Sequence, residues 1–319
     1  MKKIAICDGN NFGARHYMRL KNGGQLLTNN LGDPTTITFG VLRTLNMFVS
    51  TMDIDRCIIV WDGKSYYRKK IFKHYKGNRD YSDDDFEYYI KELENARYYY
   101  DKLGVSQIRC NHLEADDVIG YLVAQFRKKK YKTIVMSDDR DFFQLCKYKP
   151  LFYRPSKGET LCRSDVEEKL GFPPSILLKI RALTGDKKDN IPGACDMDEN
   201  NLVQKIGLGD KTALKLLTNE DGTYKKLSEL FKTVPKDNRF YEHIVNKKKQ
   251  IMLSYKLCRI RTKDKYYMKA ELKELRKAFD SVSVPKTVSR SMVKNVQEYL
   301  EFGSINLIKI LKRLGVKVK

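Results

Sequence analysis

Short apolar runs recur through the first half of the chain. Ile4-Ala5-Ile6-Cys7, Cys57-Ile58-Ile59-Val60-Trp61 and Thr133-Ile134-Val135-Met136 read as buried strands. Val105 to Cys110 and Leu151-Phe152-Tyr153 are further strand candidates. Helical spacing separates them: Phe39, Leu42, Leu45 and Phe48 make one apolar stripe, and Val118, Ile119, Leu122, Val123 and Phe126 a second. Strands alternating with helices predict an α/β fold with a mostly parallel sheet flanked by helices.

The pattern changes twice. Residues 64–102 are dense in Tyr, Lys, Arg, Asp and Glu and poor in aliphatics, which predicts a polar helical excursion from the sheet. From about residue 174 the chain reads as all-helical, with a tight turn at Gly207 and Gly209 before a helix over 211–217, and two short helices over 290–319 broken near Gly303. The expected organisation is an α/β domain over 1–173 and a helical region over 174–319. No internal repeat interrupts it.

Charge narrows the function. Sixty-two Lys and Arg against 40 Asp and Glu give a formal net charge of +22, a field that attracts polyanions. Nucleic acid is the expected partner. A membrane surface is the rival, but no run approaches transmembrane length, and MKKIAICDG has too short an apolar run for a signal or anchor. Seven scattered cysteines without a CxxC pair argue against both a disulfide framework and a zinc site, with Cys7, Cys57 and Cys110 read as buried. A reducing, cytoplasmic setting in a bacterial cell or phage-infected host is the expectation.

The acids fall where such a sheet builds sites. Asp8 follows the first strand, Asp62 the second, and Ser137-Asp138-Asp139-Arg140-Asp141 the run ending at Met136. Ligand sites in open α/β sheets lie outside the carboxyl ends of the strands. Glu114-Ala115-Asp116-Asp117 opens the second helical stripe, and Gly185-Asp186-Lys187-Lys188-Asp189-Asn190 places two aspartates three apart, on one side of a helical turn. Two carboxylates ~5 Å apart repel by roughly 3 kcal/mol at an effective dielectric near 20, so such a gathering calls for counter-charge. The donors are all oxygen, which selects Mg²⁺ or Mn²⁺ over zinc. Two such ions about 3.5–4 Å apart clamp a phosphodiester. A single Asp after a strand is more often a turn or helix cap, and Asp138 is the expected bland member of its run.

Taken together, these pieces resemble the 5′-nuclease family: flap endonucleases, phage 5′→3′ exonucleases and the 5′-nuclease domain of bacterial DNA polymerase I. Cys7 to Asn11, Trp61-Asp62-Gly63, Glu114 to Gly120, Ser137 to Leu145 and Leu183 to Gly193 carry the likeness, in matching order, over about residues 1–218. The resemblance implies a PIN-like sheet with a helical arch over about 64–102 and a helix–hairpin–helix-like element with its hairpin at about 206–210. It implies that Asp8, Asp62, Glu114 and Asp116 line a first metal site with Asp117 close by. Asp139, Asp141, Asp186 and Asp189 would serve a second site or bridge the two.

Other matches point to DNA. Arg15 stands where the family has an arginine near DNA. Arg68 to Arg79 resembles the start of the arch, with Lys76 and Arg79 gripping the scissile phosphate and Tyr75 stacking on an unpaired base. Gly207, Gly209, Lys211 and Thr212 resemble the DNA-gripping hairpin, where the family also holds K⁺. Two departures stand out: Ala194 to Lys205 intervene before the hairpin, and Lys69 and Lys70 stand where an acid is common. The implied enzyme is a monomeric Mg²⁺-dependent 5′→3′ exonuclease or flap endonuclease using two ions, with Mn²⁺ substituting. It would act on DNA or RNA–DNA duplexes bearing a 5′ end or flap and remove RNA primers or flaps in replication or repair. The absence of a polymerase-sized extension suggests a nuclease that stands alone, and no protein partner is legible. The rivals are a PIN-like ribonuclease acting on structured RNA, which would need neither arch nor hairpin, and a non-catalytic protein that recognises branched DNA.

Overall fold

The computed structural model describes residues 2–79, 84–204, 206–303 and 305–319. Residues 80–83, inside the segment expected as an arch, lie outside it. Six strands form one sheet: β1 (Lys3–Asp8), β2 (Arg56–Trp61), β3 (Ser106–Arg109), β4 (Lys132–Met136), β5 (Leu151–Arg154) and β6 (Glu159–Leu161). The first eight helices are α1 (Gly9–Asn22), α2 (Thr36–Thr51), α3 (Tyr66–Ile71), α4 (Asp84–Lys102), α5 (Ala115–Lys128), α6 (Arg163–Leu170), α7 (Leu177–Thr184) and α8 (Asp210–Leu217). All five strands read from the sequence are present. The sheet also carries β6, an edge strand antiparallel to β5 and too short to show as a periodic run.

The strand order is β3-β2-β1-β4-β5-β6, and β1 to β5 are mutually parallel. The chain builds outward from β1 to β3, then returns to place β4 on the other side of β1. The carboxyl ends of β1 and β4 are therefore a topological switch point, where open α/β sheets form their sites. Register brings the ends level: Cys7 pairs with Ile59 on one side and Met136 on the other.

The chain divides into two compact units. Unit one comprises residues 1–64, 81–164 and 261–319, and holds the sheet. Ala5, Cys7, Cys57, Ile59, Trp61, Ile134 and Met136 alternate onto one face, which packs with α2, α4 and the C-terminal helices Arg290–Tyr299 and Leu307–Arg313. The opposite parity, Ile4, Ile6, Ile58, Val60 and Val135, is equally buried, and α5 covers β1, β2 and β4. The continuous apolar runs reflect this double burial. At the start of α2, Glu92 of α4 accepts the Thr36 and Ile37 N–H groups at 3.2 and 3.0 Å, satisfying helix-end donors that Thr35 leaves unmet.

Unit two comprises residues 65–80 and 165–260. This division differs from the expected boundary at 173, because residues 261–319 return to the sheet unit. The region after 174 is also not all-helical. Asp196–Met197 pairs with Val203–Gln204 in the stretch that separates Pro192-Gly193 from the hairpin, and Thr287–Val288 pairs with Lys317–Val318 in unit one. The 64–102 segment does not project as a whole. Leu93, Ala96 and Tyr100 of α4 are buried in the core of unit one, a stripe hidden in the sequence by the many tyrosines around it.

Candidate active site

Asp8, the last residue of β1, is buried. Its Oδ1 accepts the Asn11 N–H at 3.0 Å, capping α1, and its Oδ2 accepts the Ser137 hydroxyl at 2.9 Å from beyond β4. Burial, then the charge of Asp62, pushes its pKa up to about 7 against those hydrogen bonds. Asp62, the residue after β2, is positioned from both sides. Its N–H donates to Asn10 Oδ1 at 2.8 Å, and its own Oδ1 accepts the Ala115 N–H at 2.7 Å in the first turn of α5. The same turn carries Glu114, buried at the N-cap, and Asp116. Asp116 is held well above the usual carboxylate range by burial first, then by Asp139, Asp8, Asp62 and Glu114. The expected acids of three strand ends and one helix start thus lie within electrostatic reach of one another.

After β4, Asp139 is the N-cap of the 3-10 helix Arg140–Tyr148 and Asp141 lies in its first turn, and Asp139 Oδ1 accepts the Asp141 N–H at 2.8 Å. Asp138 accepts the Ser156 N–H at 3.1 Å and serves a turn, as expected of the bland member. Among the described residues no group of three or more His, Cys, Asp or Glu side chains already has the geometry to hold an ion. The donor set fits one nonetheless. All the donors are oxygens, two of the acids have pKa values raised by burial first and by mutual repulsion second, and a divalent cation is the counter-charge that would ionise them together.

Four expected roles need correction or restatement. Asp117 is buried with both oxygens accepting hydrogen bonds from Arg261, at 2.9 Å each, so it is an ion-pair partner and not an open ligand. In unit two, Tyr75 is buried against Ile191, Leu257 and Cys258 and donates its hydroxyl to Asp189 Oδ2 at 3.1 Å, which removes its ring from base stacking. Arg68 is also buried. Its Nε donates to the Leu257 carbonyl at 2.9 Å and Nη2 to that of Arg259 at 3.2 Å, satisfying carbonyls at the end of the helix Lys248–Leu257 instead of reaching DNA. The run from Asp186 to Asn190 is a closed loop and not a helical turn: Asp186 and Ile191 exchange N–H···O bonds at 2.8 Å each way. Gly185 makes that closure possible, with φ +67° and a position where a Cβ would fall 2.3 Å from the Ile191 carbonyl oxygen.

On this loop Asp186 accepts the Lys188 N–H at 2.8 Å and pairs with Arg181 at 3.3 Å. Asp189 gathers three partners, the Tyr75 hydroxyl, the Arg79 guanidinium and Lys76 Nζ at 3.8 Å. Lys76 sits in left-handed backbone, φ 56°, with its N–H on the Asp189 carbonyl. The two cations expected at the phosphate are therefore fixed beside one of the expected acids. Farther on, Gly207 and Gly209 are exposed, and Gly209 is the N-cap of α8 without a side-chain cap bond, so among the described residues the first N–H groups of the helix are left uncapped. Lys211, Thr212, Lys215, Lys225 and Arg239 line a groove of about 600 Å³ there. In unit one, Arg15 is half-buried and its Nη1 has no hydrogen-bond partner among the described residues. Asn10, Asn11 and Ser137 hold the acids without any motif of their own to mark that role. Their place beside Asp8 and before Asp139 was the available signal.

Residues 3–171 match the family described as 5′-3′ exonuclease, N-terminal resolvase-like domain. The chain is 31% identical over 265 residues to a 5′-3′ exonuclease of Buchnera aphidicola, covering 81% of this chain and 86% of that one. It is 30% identical over 305 residues to the thermostable DNA polymerase I of Thermus filiformis, where 95% of this chain corresponds to 33% of the polymerase, about a third of that relative's length. Among solved structures, the flap endonuclease of bacteriophage T5 in complex with DNA and metal ions shares the fold, with TM-score 0.64, 16% identity, and coverage of 98% of this chain and 100% of that one. Among the described residues no helix is long and apolar enough to cross a membrane.

Proposed function

We propose, given that this chain belongs to the 5′-3′ exonuclease family, that Mg²⁺ serves its hydrolysis of strands at or near their 5′ ends, in the manner of an exonuclease and flap endonuclease. One observation carries the metal reading: strand ends at a topological switch point deliver Asp8, Asp62 and Asp139 to within electrostatic reach of Asp116 and Glu114. These residues would hold one ion, and Asp141, in the same unit, is a further acid for a second. Divalent ions held there would supply positive charge to activate water and to stabilise a leaving oxygen.

The chain's own residues do the rest. Ser137 and Asn11 orient Asp8, and Asn10 orients Asp62. Lys76 and Arg79 supply charge toward the phosphate. The turn at Gly207 and Gly209, the open N–H groups of α8 and the cations of the adjacent groove suit a phosphate backbone. A monovalent cation such as K⁺ would find its donors in the carbonyls of that turn. A 5′-3′ exonuclease among the relatives and a fold neighbour in complex with DNA and metal ions support the substrate and the cofactor class. RNA-primer or flap removal in replication or repair is the proposed task.

The test is cleavage of matched 5′-flap, nicked and RNA-primed duplexes with and without Mg²⁺. The expected result is cleavage of the 5′-ended strand that stops in chelator and returns with Mg²⁺ or Mn²⁺. Preference for structured RNA without a 5′ end, or binding of branched DNA without cleavage, would overturn the proposal.

A further inference from the structure

The C-terminal return into unit one carries a charge cluster sealed from water. Arg261, 3% exposed, lies between Asp117 and Glu271, both fully buried. Its backbone N–H and Nε reach Asp117 Oδ1 and Oδ2 at 2.9 Å each, while Nη1 donates to Glu271 Oε2 at 3.0 Å and Nη2 to Oε1 at 3.3 Å. The Tyr267 hydroxyl stands 2.9 Å from the Asp117 carbonyl and 2.6 Å from that of Arg261, and divides its one proton between them. The guanidinium lies over the Tyr267 ring at 4.6 Å. Glu271 also accepts the Met268 N–H at 2.9 Å at the start of the helix Lys269–Ser281.

Stability alone is a poor reason for such a cluster. Taking three charges out of water is costly, and apolar side chains of similar volume often serve a core as well or better. Directional bonding is what the cluster adds. Two hydrogen bonds from Arg261 fix the Asp117 carboxylate in orientation, and two to Glu271 with the Tyr267 ring contact hold that guanidinium in turn; Asp117 is next to Asp116 and three residues after Glu114. The same turn of α5 is held on its other side by Asp62 through the Ala115 N–H.

We propose that Arg261, Tyr267 and Glu271 are positioning residues for the acidic rim. They lock the first turn of α5 so that Asp116 and Glu114 present their oxygens to a divalent ion, and Asp117 acts as the partner of Arg261. This rests on the metal-dependent reading above. It gives residues 261–271, for which the sequence suggested no role, a part in assembling the site.

The experiment is titration of the full chain with Mn²⁺ in the absence of nucleic acid, followed by calorimetry, for the parent, Arg261→Gln, Tyr267→Phe, Asp117→Asn and the Asp117→Asn/Arg261→Gln double variant. Cleavage kinetics accompany it. Loss of an orienting partner weakens ion binding on the order of tenfold. Arg261→Gln is expected to show that loss with kcat lowered and KM for DNA within about twofold, and Tyr267→Phe a smaller loss in the same direction. The double variant is expected to lose no more than the worse single variant, since the two residues act as one unit. Losses that add would make Asp117 an independent ligand and overturn the proposal. So would Mn²⁺ affinity within twofold of the parent in both Arg261→Gln and Tyr267→Phe. If Arg261→Gln fails to fold, Tyr267→Phe decides. A parent chain that binds no Mn²⁺ sinks the metal reading instead.

Discussion

Ser137 Oγ donates to Asp8 Oδ2 at 2.9 Å, joining the end of β4 to the end of β1 where the sheet reverses its order. That bond opposes the burial and the Asp62 charge that lift Asp8 to about 7. Removing it with Ser137→Ala should lift Asp8 further, so less of it is ionised at pH 7. A hydrogen bond to a charged group contributes about 1.5 kcal/mol, which sets the expected loss of Mn²⁺ affinity at roughly tenfold at pH 7. At pH 8.5, where Asp8 is ionised in both proteins, the gap should narrow. Titrations at the two pH values check this, and an equal loss at both would sink the account.

Asp116 offers a prediction in which stability and activity move in opposite directions. Its ionised form is disfavoured by burial first, then by Asp139, Asp8, Asp62 and Glu114. A raised carboxylate pKa means that the ion-free fold loses stability as pH rises above the unfolded value, so a neutral isostere relieves it. Asp116→Asn should raise Tm in chelator, by about 2–4 °C for each kcal/mol relieved. Cleavage under Mg²⁺ should fall on the order of a hundredfold or more. A lower Tm in chelator would show that the carboxylate holds the fold together instead.

Lys76 and Arg79 converge on Asp189 within unit two, and Lys76 adopts a left-handed backbone to do so. Side chains built into a turn this specifically are poor candidates for a merely solvated basic face. Lys76→Ala is expected to slow cleavage of a 5′-flap duplex by about a hundredfold. Lys73→Ala, an exposed neighbour, should change it by less than about twofold. Matched effects from the two substitutions would remove Lys76 from the reaction.

The sheet was legible because its strands are buried on both faces, and continuous apolar runs bounded by acids leave little ambiguity. Asp8, Asp62 and Asp139 were legible for a related reason: strand ends are visible in sequence, and open sheets place sites there. What hid was tertiary. α4 buries Leu93, Ala96 and Tyr100 among so many tyrosines and charges that the stripe vanished into a polar average. Asp117 looked like its neighbour Asp116 until Arg261, 144 residues away, claimed both its oxygens. Tyr75 and Arg68 show the same limit: residue type suggested contact with nucleic acid, and burial decided otherwise.

The hairpin leads to a prediction about salt. Gly207 has φ +76° with Arg239 near the place a side chain would occupy, and Lys211 is exposed in the first turn of α8. A lysine on a phosphate contributes about one unit to the slope of log affinity against log salt. Lys211→Ala should reduce that slope by about one for duplex DNA, with kcat at saturating DNA unchanged within about twofold. Gly207→Ala should weaken binding through backbone strain of about 1 kcal/mol and leave the slope intact. Binding isotherms across a salt series separate the two, and an unchanged slope for Lys211→Ala would place the phosphate elsewhere.

His16 gives unit one an acid-sensitive point away from the carboxylates. Its Nε2 lies 2.9 Å from Thr44 Oγ1, on α2, and its pKa is lowered from 6.5 to about 4 by burial, then by Arg15, Arg19 and Arg43. Between those values the unfolded chain takes up a proton that the native ring refuses. Stability therefore falls as pH drops through 6.5 and stops falling from this cause below about 4. Discounted for the solvent that reaches a half-buried ring, the loss is on the order of 1–2 kcal/mol. His16→Gln keeps a polar group toward Thr44 and cannot titrate. Its Tm should change less than that of the parent between pH 6.5 and 5, a window above the ordinary carboxylate range. Denaturation curves for both proteins at those two values measure the difference directly. If their pH dependences coincide, the ring does not stay neutral in the native state, and neither its burial nor the arginines around it govern its charge.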